Sequence, residues 1–210
     1  VTILAVDTAL GACSAAVIDG DKILAHHIEF MERGHAEALA PMVEAAMGGL
    51  SFAGIDRLAV TTGPGTFTGQ RIGLAFMRGL RVALHKPLTG ITSLAAMAAA
   101  ARAETGCATA AALHDARRGE VYLEVPGVQE PVVLAFDDAV ALLARLNRGV
   151  ALAGTGAPAA HEKLAGSILS SIRQPDALWV ARLALEISPS DDAPRPLYLR
   201  APDAKLPGAA

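Results

Sequence analysis

Gly63-Pro64-Gly65-Thr66-Phe67-Thr68-Gly69-Gln70-Arg71-Ile72-Gly73 is the stretch on which the reading of the fold turns. The apolar run before it, Leu58 to Thr61, reads as a strand, and the amphipathic run after it, Ile72 to Leu84, reads as a helix. The glycines and the proline between them let the chain bend sharply and come close to another group. Free N–H groups where the helix begins make such a turn a candidate anion site. It is not a P-loop, because no Gly-x-x-x-x-Gly-Lys-Ser/Thr pattern is present and no lysine sits in the turn. Nor is it a dinucleotide fingerprint, since the spacing Gly63, Gly65, Gly69 is one residue too long. Two readings stay open: a strand-to-helix turn that fixes packing, or a contact to phosphate or to a partner.

Toward the N-terminus, Thr2 to Val6, Cys13 to Ile18 and Lys22 to Glu29 read as three strands. Asp7-Thr8-Ala9-Leu10-Gly11 is the first turn, and Asp19-Gly20 marks a hairpin. A helix is expected over His35 to Met47, with Pro41 inside it and Gly48-Gly49 stopping it. Toward the C-terminus, Leu88 to Ile91 is a strand, and Thr92 or Ser93 caps a helix over Leu94 to Ala103. The second half looks like a shortened echo. Strands are expected at Ala108–Leu113, Glu120–Val125, Val132–Leu134 and Val150–Ala153. Helices are expected from Asp137 to about Arg148, after Gly154-Thr155-Gly156, and over Trp179 to Ile187. From Ser188 the chain should be extended, with Leu197-Tyr198-Leu199 docking as a short strand and 202–210 mobile. Two βββαβα-type lobes in tandem indicate an α/β protein of the actin-like ATPase fold. The expected lobes are 1–104 and a divergent 105–210, parted near Glu104-Thr105-Gly106.

The 210 residues, 52% hydrophobic, are enough for a real core. A net charge of -3 and aromatics at 4% argue against broad nonspecific nucleic-acid binding and against a base-stacking platform. Cys13 and Cys107 lie far apart and read as reduced thiols of a cytosolic protein. No apolar run is long and uncharged enough to span a membrane, and no signal peptide is evident.

Asp7 and Asp115 each follow a strand and open a turn, where a carboxylate either holds Mg²⁺ beside a phosphate or caps the turn. Asp7, Thr8, Gly63, Gly65, Thr66 and Gly69 are the candidate phosphate contacts. Arg71, Arg78, Arg81 and His85 form a basic stripe along the second helix, a solvated face or a partner surface. His35 has Leu39 four residues on, so no helical His pair is present, and His26 and His27 point to opposite faces of a strand. The charge-dense turn Asp115-Ala116-Arg117-Arg118-Gly119-Glu120 either binds phosphate through its arginines or pairs them at the surface.

Six motifs occur in order: ILAVDTALGACSAAV from Ile3, GHAEAL from Gly34, GPGTFTGQRIG from Gly63, GITSL from Gly90, DARRGEVY from Asp115 and PLYLR from Pro196. Together they resemble the bacterial TsaB family, also called YeaZ, across essentially the whole chain. The resemblance implies a part in making threonylcarbamoyladenosine in tRNA, beside the anticodon. It implies a non-catalytic relative of the transferase TsaD that pairs with TsaD through the two helices of its first lobe. The ATPase TsaE joins that pair, the chain self-associates when alone, and tRNA is met only through the complex. On this reading His35, Glu37, Leu39, Arg71, Leu74 and Arg78 belong to the partner interface. No catalytic residue, metal or cofactor is required, although ATP or ADP could sit at the subunit junction. TsaD carries a metal-binding His-x-x-x-His on its first helix; here the corresponding positions are His35 and Leu39, so half the motif is missing. The rival readings are an actin-like nucleotide-hydrolysing enzyme and a glycoprotease-like metallopeptidase.

Overall fold

A computed structural model describes residues 1–146 and 149–200. β1 (Thr2–Asp7), β2 (Ala12–Asp19) and β3 (Lys22–Phe30) form an antiparallel meander. α1 (His35–Met47), β4 (Arg57–Gly63), α2 (Phe67–Leu84), β5 (Leu88–Thr92) and α3 (Ser93–Thr105) follow. The same succession then recurs in β6 (Thr109–Asp115), β7 (Glu120–Val125), β8 (Gln129–Ala135), α4 (Phe136–Ala144), β9 (Val150–Ala153), α5 (Ala157–Lys163), β10 (Ile168–Leu169) and α6 (Ala177–Glu186). The sheets run β3-β2-β1-β4-β5 and β8-β7-β6-β9-β10. One strand order is therefore used twice, and the protein has the two-lobed actin-like α/β fold read from the sequence.

β1 is buried on both faces, and its alternation assigns each face a partner. Leu4 and Val6 pack with Leu39, Val43, Leu74 and Met77 of α1 and α2. Ile3 and Ala5 pack with Val180, Ala181 and Ala184 of α6. The helix closing the chain thus covers the sheet that opens it. His26 on β3 and the α6 cap Asp176 pair at 2.7 Å across the same junction. α3 joins the two sheets: its Leu94, Met97 and Ala101 pack with Ala110, Ala112, Ala151 and Ala153 of the second sheet. Its many alanines let the strands approach closely.

Several expectations need correction. The second helix begins at Phe67, not Ile72, because the Thr66 hydroxyl accepts the Gly69 N–H at 3.0 Å and caps it. Gly69 and Gly73 are thus helical residues. α1 runs unbroken through Pro41, whose ring lies on its exposed side. Thr92, not Ser93, caps α3, which continues to Thr105 and ends at Gly106 with φ 70. The echo is not short of strands, because β10 completes it with two residues. α4 stops at Ala144, and Arg148 lies outside the described residues. α6 starts at Ala177, two residues early, under the Asp176 cap. Leu197-Tyr198-Leu199 is not a strand. Pro194 and Pro196 have no N–H to give a ladder, and the Leu197 N–H alone bonds Thr62 O, at 2.8 Å. The expectation for 202–210 lies outside the described residues.

Candidate functional site

The glycine turn closes on the turn after β1. A Cβ on Gly65 would stand 2.2 Å from Ala9 O, and one on Gly69 would stand 2.3 Å from Thr8 O. The two backbones approach so closely that nothing larger than hydrogen fits. The Thr66 N–H bonds Ala9 O at 2.9 Å, and the Thr8 hydroxyl donates to Gly69 O at 2.7 Å while accepting the Gly73 N–H at 3.0 Å. The N–H groups of Thr66, Gly69 and Gln70 are therefore all taken within the chain. The Gly63–Pro64 bond is cis, and Gly63 has φ 106.

Asp7 is fully buried beneath this junction. Its Oδ1 accepts the Thr61 hydroxyl at 2.6 Å and the Ala9 N–H at 3.1 Å, while Oδ2 has no partner. Burial pushes its carboxyl up to about 7, against the opposing pull of the Thr61 and Ala9 bonds. The structure thus gathers Asp7, Thr8, Gly63, Gly65, Thr66 and Gly69 into one place, as packing partners of one another.

The residues assigned to a partner interface divide. Leu39 and Leu74 lie in the core, and the buried His35 donates from Nε2 to Leu10 O at 2.9 Å. All three hold the first lobe together and cannot form an outer surface. Glu37 stands exposed on α1. Arg71 lies 3.5 Å over the Phe67 ring and donates from Nε to the Tyr198 hydroxyl at 2.8 Å, with Phe67 and Tyr198 stacked at 5.7 Å. Arg78 donates to Pro194 O and Arg81 to Asp191 O. The basic stripe therefore straps the C-terminal segment to α2. Beyond the PLYLR motif nothing in the sequence signals this use, because the strap joins residues more than a hundred positions apart.

Between the lobes lies a cavity of 720 Å³. Gly65 and Thr66 line it from the first lobe, and His114, Arg117 and Thr155 from the second. Glu124, which the sequence did not single out, accepts the Thr92 hydroxyl across the lobes, and burial pushes it up to about 7. Among the described residues no group of three His, Cys, Asp or Glu could hold a metal, and no helix is long and apolar enough to cross a membrane.

The family model described as TsaD, tRNA N6-adenosine threonylcarbamoyltransferase, matches residues 23–176. A crystal structure from Pseudomonas aeruginosa, described as an uncharacterized protein with similarity to peptidase YeaZ, superposes with a TM-score of 0.82 at 32% identity. That match covers 95% of this chain and 99% of the other. The chain belongs to the TsaB (YeaZ) family. The tRNA threonylcarbamoyladenosine biosynthesis protein TsaB of Escherichia coli is 40% identical over 122 residues, 57% of this chain. The match spans about half of that relative, 52% of its length. An uncharacterized protein of Mycobacterium tuberculosis is 35% identical over 97% of this chain and 94% of its own. In this TsaB-family chain the match with the mycobacterial relative spans nearly all of both chains, and that with the E. coli relative about half of each.

Proposed function

We propose that this chain is a non-catalytic subunit in the synthesis of threonylcarbamoyladenosine in tRNA, binding and stabilising a TsaD-type transferase. The observation that carries the reading is the outer face of the α1–α2 layer. Ala36 and Ala40 on α1, and Ala75, Gly79, Val82 and Ala83 on α2, stand exposed on two neighbouring helices, Val82 at 71%. Small residues over two helices let another helical layer approach closely, and Glu37, Glu44 and Arg71 supply a polar rim. The name of the E. coli relative and the transferase family model support the pathway. The occupied N–H groups of Thr66, Gly69 and Gln70 and the Leu39 that stands four residues after His35 support a supporting rather than a catalytic role.

In this reading a TsaE-type ATPase joins the pair, and ATP or ADP belongs at the subunit junction rather than to the chain alone. Self-association of the free chain uses the same face. tRNA is met through the assembled complex, in the cytoplasm.

The test is co-purification with the transferase of the same organism. The wild-type chain should be retained, and a chain carrying both Ala75→Glu and Val82→Glu should be lost while its melting temperature stays within about 2 °C, as for exposed sites. A double variant that still co-purifies overturns the proposed surface. Turnover of Mg-ATP by the isolated chain would replace the scaffold reading with that of a nucleotide-hydrolysing enzyme.

A further inference from the structure

β3 ends the first sheet, and among the described residues no strand pairs its outer side. Of its nine residues only Ala25 is half-buried, and the rest are exposed. An edge strand of this length offers an open row of N–H and C=O groups to another strand.

The pairing with β2 fixes which face each side chain takes. Ala25, His27 and Glu29 lie opposite Val17, Ala15 and Cys13, on the α1–α2 side of the sheet. Lys22, opposite Asp19, belongs to that side too. Ile23, His26 and Ile28 lie opposite Ile18, Ala16 and Ser14, on the α6 side, and Phe30 follows them opposite Ala12. Leu24 is the extra residue of a bulge between Ile23 and Ala25. The core beneath α6 draws on β1, β2, β4 and β5 but not on β3. Ile23 (43%), Ile28 (36%) and Phe30 (70%) are therefore left as an uncovered apolar stripe beside α6.

Residues that oppose each other on antiparallel strands share a face. A second β3, set beside the first about a twofold axis normal to the sheet, meets this condition with the bulge residue counted out. In one register Lys22 faces Glu29, Ile23 faces Ile28, Ala25 faces His27, and His26 meets its own copy at the axis. Each of the first three pairs occurs twice, and in each the two side chains lie on the same side of the sheet. Neither Lys22 nor Glu29 makes an ion pair within the chain among the described residues. A slip of two positions either way parts Lys22 from Glu29, so the charges that would repel other strands select this register. The two apolar stripes then join into one band across the seam.

We propose that β3 pairs antiparallel with β3 of a second copy of this chain, joining the two five-stranded sheets edge to edge. The complementarity of Lys22 with Glu29, repeated by the twofold axis, is what commits the edge to a second copy. This contact is separate from the outer face of α1 and α2 and does not rest on the transferase reading.

Sedimentation equilibrium tests it on the full chain carrying Ala75→Glu and Val82→Glu, a background in which the helical face cannot self-associate. That chain should pass from monomer to dimer over about 10–300 µM, as for a contact smaller than a standard interface. Lys22→Glu or Glu29→Lys alone sets like charges opposite each other at both ends of the pairing and should weaken dimerisation by about tenfold. The two exchanges together should restore it to within about threefold. All three variants change exposed residues, so their melting temperatures should stay within about 2 °C of the background. Slower amide exchange in β3 at the higher concentrations would place the contact on the edge. A chain that stays monomeric, single variants that dimerise as well as the background, or a double exchange that does not recover overturns the proposal.

Discussion

The two lobes share a strand order and part ways after the fourth strand of each. In the first, β4 leads through the glycine turn into α2, eighteen residues long. In the second, β9 leads through Gly154-Thr155-Gly156 into α5, seven residues long. Both turns close on the end of the lobe's first strand: Gly65 against Ala9 O, Gly154 against Leu113 O. The strand-end acids differ as sharply. Asp7 is sealed beneath its turn, whereas Asp115 stands exposed and caps its own. Shared topology therefore carries a shared packing device. The difference in helix length supplies the first lobe alone with a long outer helical layer and a basic stripe to strap the tail. A partner surface on the helices belongs to that lobe.

The largest effect should come from the device itself. Gly65→Ala and Gly154→Ala each drive a Cβ into a backbone carbonyl that cannot move away, and each should cost about 3 kcal/mol or more in urea unfolding. Gly156→Ala, with Leu113 O at 3.3 Å, should cost about 1 kcal/mol or less. If Gly65→Ala unfolds at the wild-type midpoint, the turn is open and a phosphate cradle returns as its role.

Next comes Asp7→Asn. The folded state holds the Asp7 proton up to about 7, against an ordinary value of 3.8, so it binds more protons than the unfolded chain between those pH values. This contribution to stability is intact below about pH 4 and lost as pH rises through 7. His26, raised by its bond to Asp176, slopes the same way from its ordinary value of 6.5 upward. Asp7→Asn should gain roughly 1–3 kcal/mol over wild type at pH 8 and little at pH 4, flattening the pH profile of chemical denaturation. A profile unchanged by the substitution would mean that Asp7 is hydrated.

A smaller effect separates the strapped helix from its unstrapped counterpart. Tyr198→Ala removes the stacking on Phe67 and the acceptor of Arg71, and should cost about 1 kcal/mol. Faster amide exchange should then appear in residues 191–198 but not around α5. The smallest effect is Gly79→Ala. Gly79 is exposed inside α2 with nothing within 4 Å of an added Cβ, so the helix should gain roughly 0.5–1 kcal/mol. A loss instead would show that the outer face of α2 is not open.

Much of the fold could be read directly from the sequence. Thr2 to Val6 and Cys13 to Ile18 alternate or run apolar as strands must, and Gly48-Gly49 stops a helix where the chain does end it. The errors fell at element ends, where a cap or a missing donor decides the boundary. Phe67 and Thr68 read as turn until the Thr66 hydroxyl is seen to accept the Gly69 N–H and start the helix ahead of them. Leu197 to Leu199 reads as a strand until Pro194 and Pro196 are seen to leave the ladder almost without donors. The candidate site was half legible: Asp7, Thr8 and the glycines were found as a group, but His114 and Glu124 were not.

By itself the sequence determined the order of the elements, the duplicated lobe and the family motifs. Each of these rests on local periodicity, turn chemistry or residue spacing, and such signals are complete within a short window of chain. Only the tertiary structure decided what the glycines touch, which faces of α1 and α2 look outward and which arginines are already occupied. Those depend on approaches between segments far apart in the chain, 127 residues between Arg71 and Tyr198 and 150 between His26 and Asp176. There a hydrogen bond, or an approach that leaves no room for a Cβ on Gly65, is set by how whole layers pack and not by any residue's own preference.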